Sequence, residues 1–206
     1  MSKPSSRYFI GSISPASAVT LLGLTFGVGA PAFALIGEIA LCMVSLVAAG
    51  ICDLFDGWVA RRYPRPGQAA FGAHIDSLVD MASFGVGPAL IGIALFRLQP
   101  FVWLACLGYA SCAAVRLAHF NTGANLKGPT GRRYFTGLPV AFVSLIVPSA
   151  LLFARGLAVA PVLVASTYAV VALAFVARVP VPKPSGAAYI ALPLVGGGIA
   201  VAWLVS

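Results

Sequence analysis

Apolar residues run almost unbroken along this chain, and charged or chain-breaking positions interrupt them at intervals close to a membrane-spanning length. Reading between the interruptions gives spans near 16–31, 34–60, 74–96, 100–120, 137–154, 157–177 and 187–205. Stretches such as LCMVSLVAAG and LIVPSALLF are continuously apolar and lack the strict alternation of a barrel strand. Backbone polar groups in lipid must then be satisfied within helices. The pattern predicts an all-α, polytopic membrane protein with about seven transmembrane helices, six to eight being compatible with the same interruptions. It is expected to form one integral-membrane domain over residues 1–206, with 1–14 a polar or interfacial segment. That segment, MSKPSSRYFIGSIS, enters the first span without a small-residue processing site and is read as part of the mature chain.

Composition agrees with lipid as the main solvent. The chain is 60% hydrophobic and 9% charged, with a mean hydropathy of +0.99, well outside the range of soluble domains. Cys42, Cys52, Cys106 and Cys112 all fall inside expected spans with no CxxC pair, so they read as small packing residues rather than disulfide or zinc ligands.

The net charge of +8 is distributed by topology. If the N-terminus lies in the cytoplasm, threading seven spans places Lys3, Arg7, Arg61, Arg62, Arg65, Arg116, Lys127, Arg132, Arg133, Arg178 and Lys183 at or near the cytoplasmic side. Only Arg97 and Arg155 then lie outside. This follows the positive-inside rule and would invert if one of the first six spans were miscounted. Anchorage to anionic headgroups accounts for Lys3, Arg7, Arg178 and Lys183. Nucleic-acid binding is a poor account, because no soluble basic domain carries the charge. The expected location is a prokaryotic inner membrane.

Against this background the carboxylates are concentrated. Four of the five acidic residues, Asp53, Asp56, Asp76 and Asp80, lie between positions 53 and 80. Asp53 and Asp56 are spaced i, i+3 near the cytoplasmic end of the second helix, with Gly57 and Ala60 on the same stripe. Asp76 and Asp80 are spaced i, i+4 near the cytoplasmic start of the third. The connecting RRYPRPGQAAFG, with two Pro and two Gly, reads as a hairpin that turns the two acidic faces toward each other. Four converging carboxylates repel one another unless cations join them, and hard divalent cations prefer oxygen ligands. A site for two divalent cations, Mg2+ or Mn2+, is the natural solution, with bridging carboxylates holding them about 4 Å apart. Helix caps or interfacial charges explain one or two such acids but not pairs on facing helices. Gly57 and Ala60 alone would read as close helix packing; beside the acids they read as a groove for a ligand.

These residues resemble the motif of the CDP-alcohol phosphatidyltransferase family, DxxDGxxAR followed by GxxxDxxxD. Here it stands as DLFDGWVAR at 53–61 and GAHIDSLVD at 72–80, matching all eight fixed positions. The ten residues between Arg61 and Gly72 exceed the usual family spacing. Within the family, DSLVDMASFGVGPALI, VRLAHFN at 115–121 and RRYFTGLPV at 132–140 resemble the integral-membrane phosphatidylserine synthases. The resemblance covers about residues 15–140, read as the catalytic core, and fades over the helices of 141–206. In SPASAVT, Ser17 stands where family members often carry Asn before the Thr at position 20.

The resemblance implies transfer of a phosphatidyl group from CDP-diacylglycerol to an alcohol, here L-serine, with release of CMP. By the family pattern Asp53, Asp56 and Asp76 would ligate metal, and Asp80 would complete the second metal and act as general base. Gly57, Ala60, Arg61, Gly72 and Thr20 would contact CDP-diacylglycerol, and the protein would be a homodimer. Arg116, in or near the end of an apolar span, faces either a polar cavity, where it would bind a carboxylate or phosphate, or the interface by snorkelling. Asn121, Lys127, Arg132 and Arg133 on the following loop suit an anionic headgroup, although a solvated loop that sets topology would look the same. His74 and His119 each stand alone, and neither begins the HxK pattern of synthases that work through a phosphohistidine. Glu38 reads as an exterior-interface residue.

Two alternatives remain open at this level. One is the same chemistry with glycerol 3-phosphate, inositol phosphate or choline as acceptor, a choice carried by FGVGPAL and FTGLP. The other is a cation or proton transporter, which would place acids near the bilayer midplane in broken helices of repeated halves; no internal repeat is present.

Overall fold

A computed structural model describes residues 14–63, 69–122, 134–182 and 186–206. Among them, the helices are α1 (Pro15–Leu35), α2 (Ile39–Arg62), α3 (Ala69–Asp80), α4 (Gly87–Leu95), α5 (Pro100–Asn121), α6 (Val143–Ala154), α7 (Ala160–Val176) and α8 (Ala188–Val205). A π-helical segment, Met81–Val86, joins α3 to α4, so that the two form one helical run across residues 70–95. Five helical runs are long and apolar enough to cross a membrane, and α6 and α7 are shorter apolar helices. This is an all-α integral membrane protein, and the seven helical runs among the described residues overlap the seven expected spans.

Local chemistry sets the boundaries. Ser14 caps α1 by accepting the Ser17 backbone N–H at 3.0 Å, with Pro15 at the first helical position. The helix continues through Pro31 to Leu35, beyond the expected end near residue 31. Gly37, at φ 85°, then makes the turn into α2. The expected fifth span begins later as a helix, because Gly137 sits at φ 82° and extended Pro139 precedes a 3-10 turn at Val140–Phe142. Two short strands were not foreseen: β1 (Tyr134–Thr136) pairs antiparallel with β2 (Pro180–Pro182).

The π segment has an identifiable cause. Pro88 has no N–H to offer the Phe84 carbonyl, its helical partner four residues earlier. The hydroxyl of Tyr109 on α5 donates to that carbonyl, and the hydroxyl of Tyr168 on α7 donates to the Pro88 carbonyl. The two tyrosines meet edge to face at 5.1 Å between ring centroids, and Tyr109 also touches Phe175 at 5.4 Å. Together with Met43, Leu46, Ile91 and Val143 they form the centre of the core. Satisfying buried carbonyls from aromatic hydroxyls is what permits an irregular helix inside a membrane.

Packing around the acidic end is close. α1 lies along α2 and also against α3 and the π segment. Gly27 permits this approach, since a Cβ there would stand 2.3 Å from the Ser83 side chain. On the outer faces, large apolar residues such as Leu78, Leu104, Val170 and Leu194 remain exposed, as lipid-facing side chains would. Glu38, Leu95, Arg155 and Ser206 gather around a cavity at the opposite end of the bundle from the acids.

Candidate active site

The acidic stripes of α2 and α3 face each other. One carboxylate oxygen from each of Asp53, Asp76 and Asp80 can be chosen so that all lie within 4.8 Å of one another, and all three residues are half-buried. Three carboxylates at that range repel strongly unless positive charge is shared among them. An all-oxygen donor set from two rigid helices fits a hard divalent cation. The three aspartates are therefore the residues that would hold one.

Asp56 stands apart from this group. It is 6% exposed, and its Oδ2 accepts a 2.7 Å hydrogen bond from the Thr20 hydroxyl on α1. Thr20 also lies 3.0 Å from the Ala16 carbonyl, which fixes its rotamer against its own helix. Thr20 and Asp56, with Asp53, Asp80 and Ser83, line a cavity of about 10 Å³ behind the acidic cluster. The Ser83 hydroxyl is fully buried and without a hydrogen-bond partner among the described residues. The space is close to that of one water.

On its other side Asp53 lines a larger cavity of about 200 Å³ between α2, α6 and α8. Gly57 and Arg61 continue the α2 wall of this cavity, and Phe142, Tyr189 and Leu192 lie across from them. Arg61 Nη2 donates to the Tyr189 hydroxyl at 2.7 Å, and the guanidinium carbon stands 5.5 Å from the Tyr189 ring centroid. Ala60 is exposed on the same end of α2, and a Cβ at Gly72 would meet nothing within 4 Å, so both leave open space beside the acids.

Arg116 is buried at 5% exposure. Its Nε donates to the Leu138 carbonyl at 3.2 Å, and its guanidinium lies 5.7 Å from the Phe120 ring centroid. The side chain therefore turns into the protein, toward the Gly137–Pro139 stretch, rather than out to the interface. Asn121, at the end of α5, accepts through Oδ1 a 2.9 Å hydrogen bond from the hydroxyl of Ser77, the neighbour of Asp76. Ser77 and Tyr189 are neighbours of the site that the motif reading did not single out. Ser77 lies inside the motif itself, whereas Tyr189 is more than a hundred positions from Arg61 and gives no local signal. Lys127, Arg132 and Arg133 lie outside the described residues.

Fold and site together define an integral membrane protein whose carboxylates converge at one end of an apolar bundle, beside a basic and largely apolar cavity. The sequence matches the CDP-alcohol phosphatidyltransferase family over residues 14–182, and the chain belongs to that family. The match extends past residue 140 and takes in α6 and α7. The chain is 35% identical over 140 residues to the CDP-diacylglycerol–serine O-phosphatidyltransferase of Mycobacterium tuberculosis, covering 66% of this chain and 48% of that protein. It is 38% identical over 111 residues to the archaetidylserine synthase of Methanothermobacter thermautotrophicus, covering 53% and 45% respectively. To the CDP-diacylglycerol–serine O-phosphatidyltransferase of Saccharomyces cerevisiae it is 38% identical over 114 residues, covering 52% and 41%. The chain thus spans about half the length of the curated relatives it matches.

Proposed function

We propose that this protein transfers the phosphatidyl group of CDP-diacylglycerol to L-serine, giving phosphatidylserine and CMP. The observation that carries the reading is the convergence of Asp53, Asp76 and Asp80 from the two halves of the family motif. The names of the relatives favour serine as acceptor.

Asp53, Asp76 and Asp80, with Asp56 beside them, would hold Mg2+ or Mn2+. Bound there, such cations supply neutralisation of the diphosphate and of the charge developing on the leaving oxygen. Asp80 takes the proton of the serine hydroxyl, and the serine oxygen forms a bond to the phosphorus of the phosphatidyl group. The bond from that phosphorus to the bridging oxygen breaks, and its electron pair leaves with CMP. Thr20 orients Asp56 through its hydroxyl. Arg61 meets a diphosphate oxygen at the mouth of the cavity, and Gly57, Ala60 and Gly72 leave room for the nucleotide. Arg116 and Asn121, with Lys127, Arg132 and Arg133 on the loop that follows, present positive charge and amide groups to the acceptor's carboxylate or to the lipid phosphate. The charge distribution supports a site that opens to the cytoplasm, in a prokaryotic inner membrane, and the resemblance supports a homodimer.

The test is an acceptor panel. Purified protein with CDP-diacylglycerol and Mg2+ or Mn2+ is expected to release CMP with serine. Release only with glycerol 3-phosphate, inositol phosphate or choline would move the assignment to another branch of the same chemistry. No release with any acceptor would overturn it.

A further inference from the structure

We infer that Tyr189, on the last helix, is a positioning residue that aims the Arg61 guanidinium at the diphosphate of a CDP-linked lipid; the inference rests on the function proposed above. Arg61 stands at the exposed end of α2, where a long side chain with several rotatable bonds would otherwise sample many rotamers. Two contacts remove that freedom. The Tyr189 hydroxyl accepts from Nη2 at 2.7 Å, and the same ring lies 5.5 Å from the guanidinium carbon. Gly57 lies one turn before Arg61, and a Cβ there would stand 3.4 Å from Nη1, in ordinary van der Waals contact, so the guanidinium lies over this turn of α2. The guanidinium is thereby held between the α2 backbone and α8.

This position faces the chemistry. Asp53, Gly57 and Arg61 succeed one another at four-residue intervals along one wall of the 200 Å³ cavity, and Tyr189 forms part of the facing wall. A single hydroxyl acceptor occupies one of the five guanidinium N–H groups, which leaves donors for phosphate oxygens. The remaining walls, among them Leu54, Leu145 and Leu192, are apolar, so the cavity joins a cationic mouth to a lipophilic interior. That combination suits a molecule with a diphosphate at one end and hydrocarbon at the other. Tyr189 lies beyond the residues that match the family, 14–182, so α8 would add to the shared site a contact that the motif does not contain.

The experiment compares wild type with Tyr189→Phe, Tyr189→Ala, Arg61→Ala and Arg61→Ala/Tyr189→Phe as the full chain in detergent. It measures KM for CDP-diacylglycerol, KM for serine and kcat, and CDP binding by calorimetry. Tyr189→Phe keeps the ring and is expected to raise KM for CDP-diacylglycerol roughly three- to tenfold, the range for net loss of one solvent-exposed hydrogen bond. Tyr189→Ala raises it further, while kcat and KM for serine hold. In the Arg61→Ala background Tyr189→Phe adds nothing, because its effect passes through the missing side chain. An unchanged KM in Tyr189→Phe, or an effect that persists without Arg61, would overturn the positioning role alone. Wild type that neither binds CDP nor releases CMP would overturn both the role and the function on which it rests.

Discussion

At the scale of single residues, the four motif aspartates divide into a group of three and a fourth held by a neighbour. Asp56 is fixed by Thr20, so Thr20 would be an orienting residue whose side chain works through a hydrogen bond. Thr20→Val keeps the shape and removes the donor; it is expected to lower the rate of CMP release about tenfold, with Thr20→Ser retaining most of it. The repulsion among Asp53, Asp76 and Asp80 predicts a different signature in stability. In chelator, Asp53→Asn should melt at or above the wild-type temperature, since one like charge is gone. On addition of Mn2+ the wild type should gain thermal stability and the variant should not, because only a protein that binds the ion is stabilised by it. Thermal melts in detergent with and without the metal check both halves. The aspartates were legible in the sequence because i, i+3 and i, i+4 spacings survive any uncertainty in helix ends. The partners of Asp56 and Arg61 come from other helices, and tertiary pairing of this kind leaves no periodic trace.

At the scale of elements, the apolar runs identified the helices well because in lipid length and polarity decide the structure. They could not show the π segment, since an apolar stretch such as MASFGVGPAL has no polar face whose phase would reveal a five-residue turn. Pro88 is its one local trace, and only the hydroxyl of Tyr109, distant in sequence, shows how the freed Phe84 carbonyl is satisfied. Likewise the β1–β2 pairing joins segments more than forty residues apart. Tyr109→Phe leaves the Phe84 carbonyl buried without its partner and is expected to cost roughly 1–3 kcal/mol, read as lowered thermal stability. Gly27→Val forces α1 away from Ser83, with overpacking of about 1–3 kcal/mol or more. Because α1 carries Thr20, that variant should lose activity along with stability.

At the scale of the whole molecule, the bundle is polarised. Arg61 with Tyr189, Arg116 with Leu138 and Ser77 with Asn121 lie toward the acidic end, and Glu38, Arg155 and Ser206 toward the other. We propose that the acidic end faces the cytoplasm. In a background without the native cysteines, Arg155→Cys should react with an impermeant maleimide applied to intact cells, whereas Arg62→Cys should react only after lysis; the reverse pattern would invert the topology. In the proposed reaction the aspartate cluster performs a metal-dependent phosphatidyl transfer to serine. Its most direct test is CMP release from CDP-diacylglycerol and serine by purified wild type and Asp80→Asn, with Mn2+ and with EDTA. Release by wild type with metal, none in EDTA, and a loss of at least about 100-fold in Asp80→Asn are expected. Undiminished release in EDTA, or by Asp80→Asn, would contradict it.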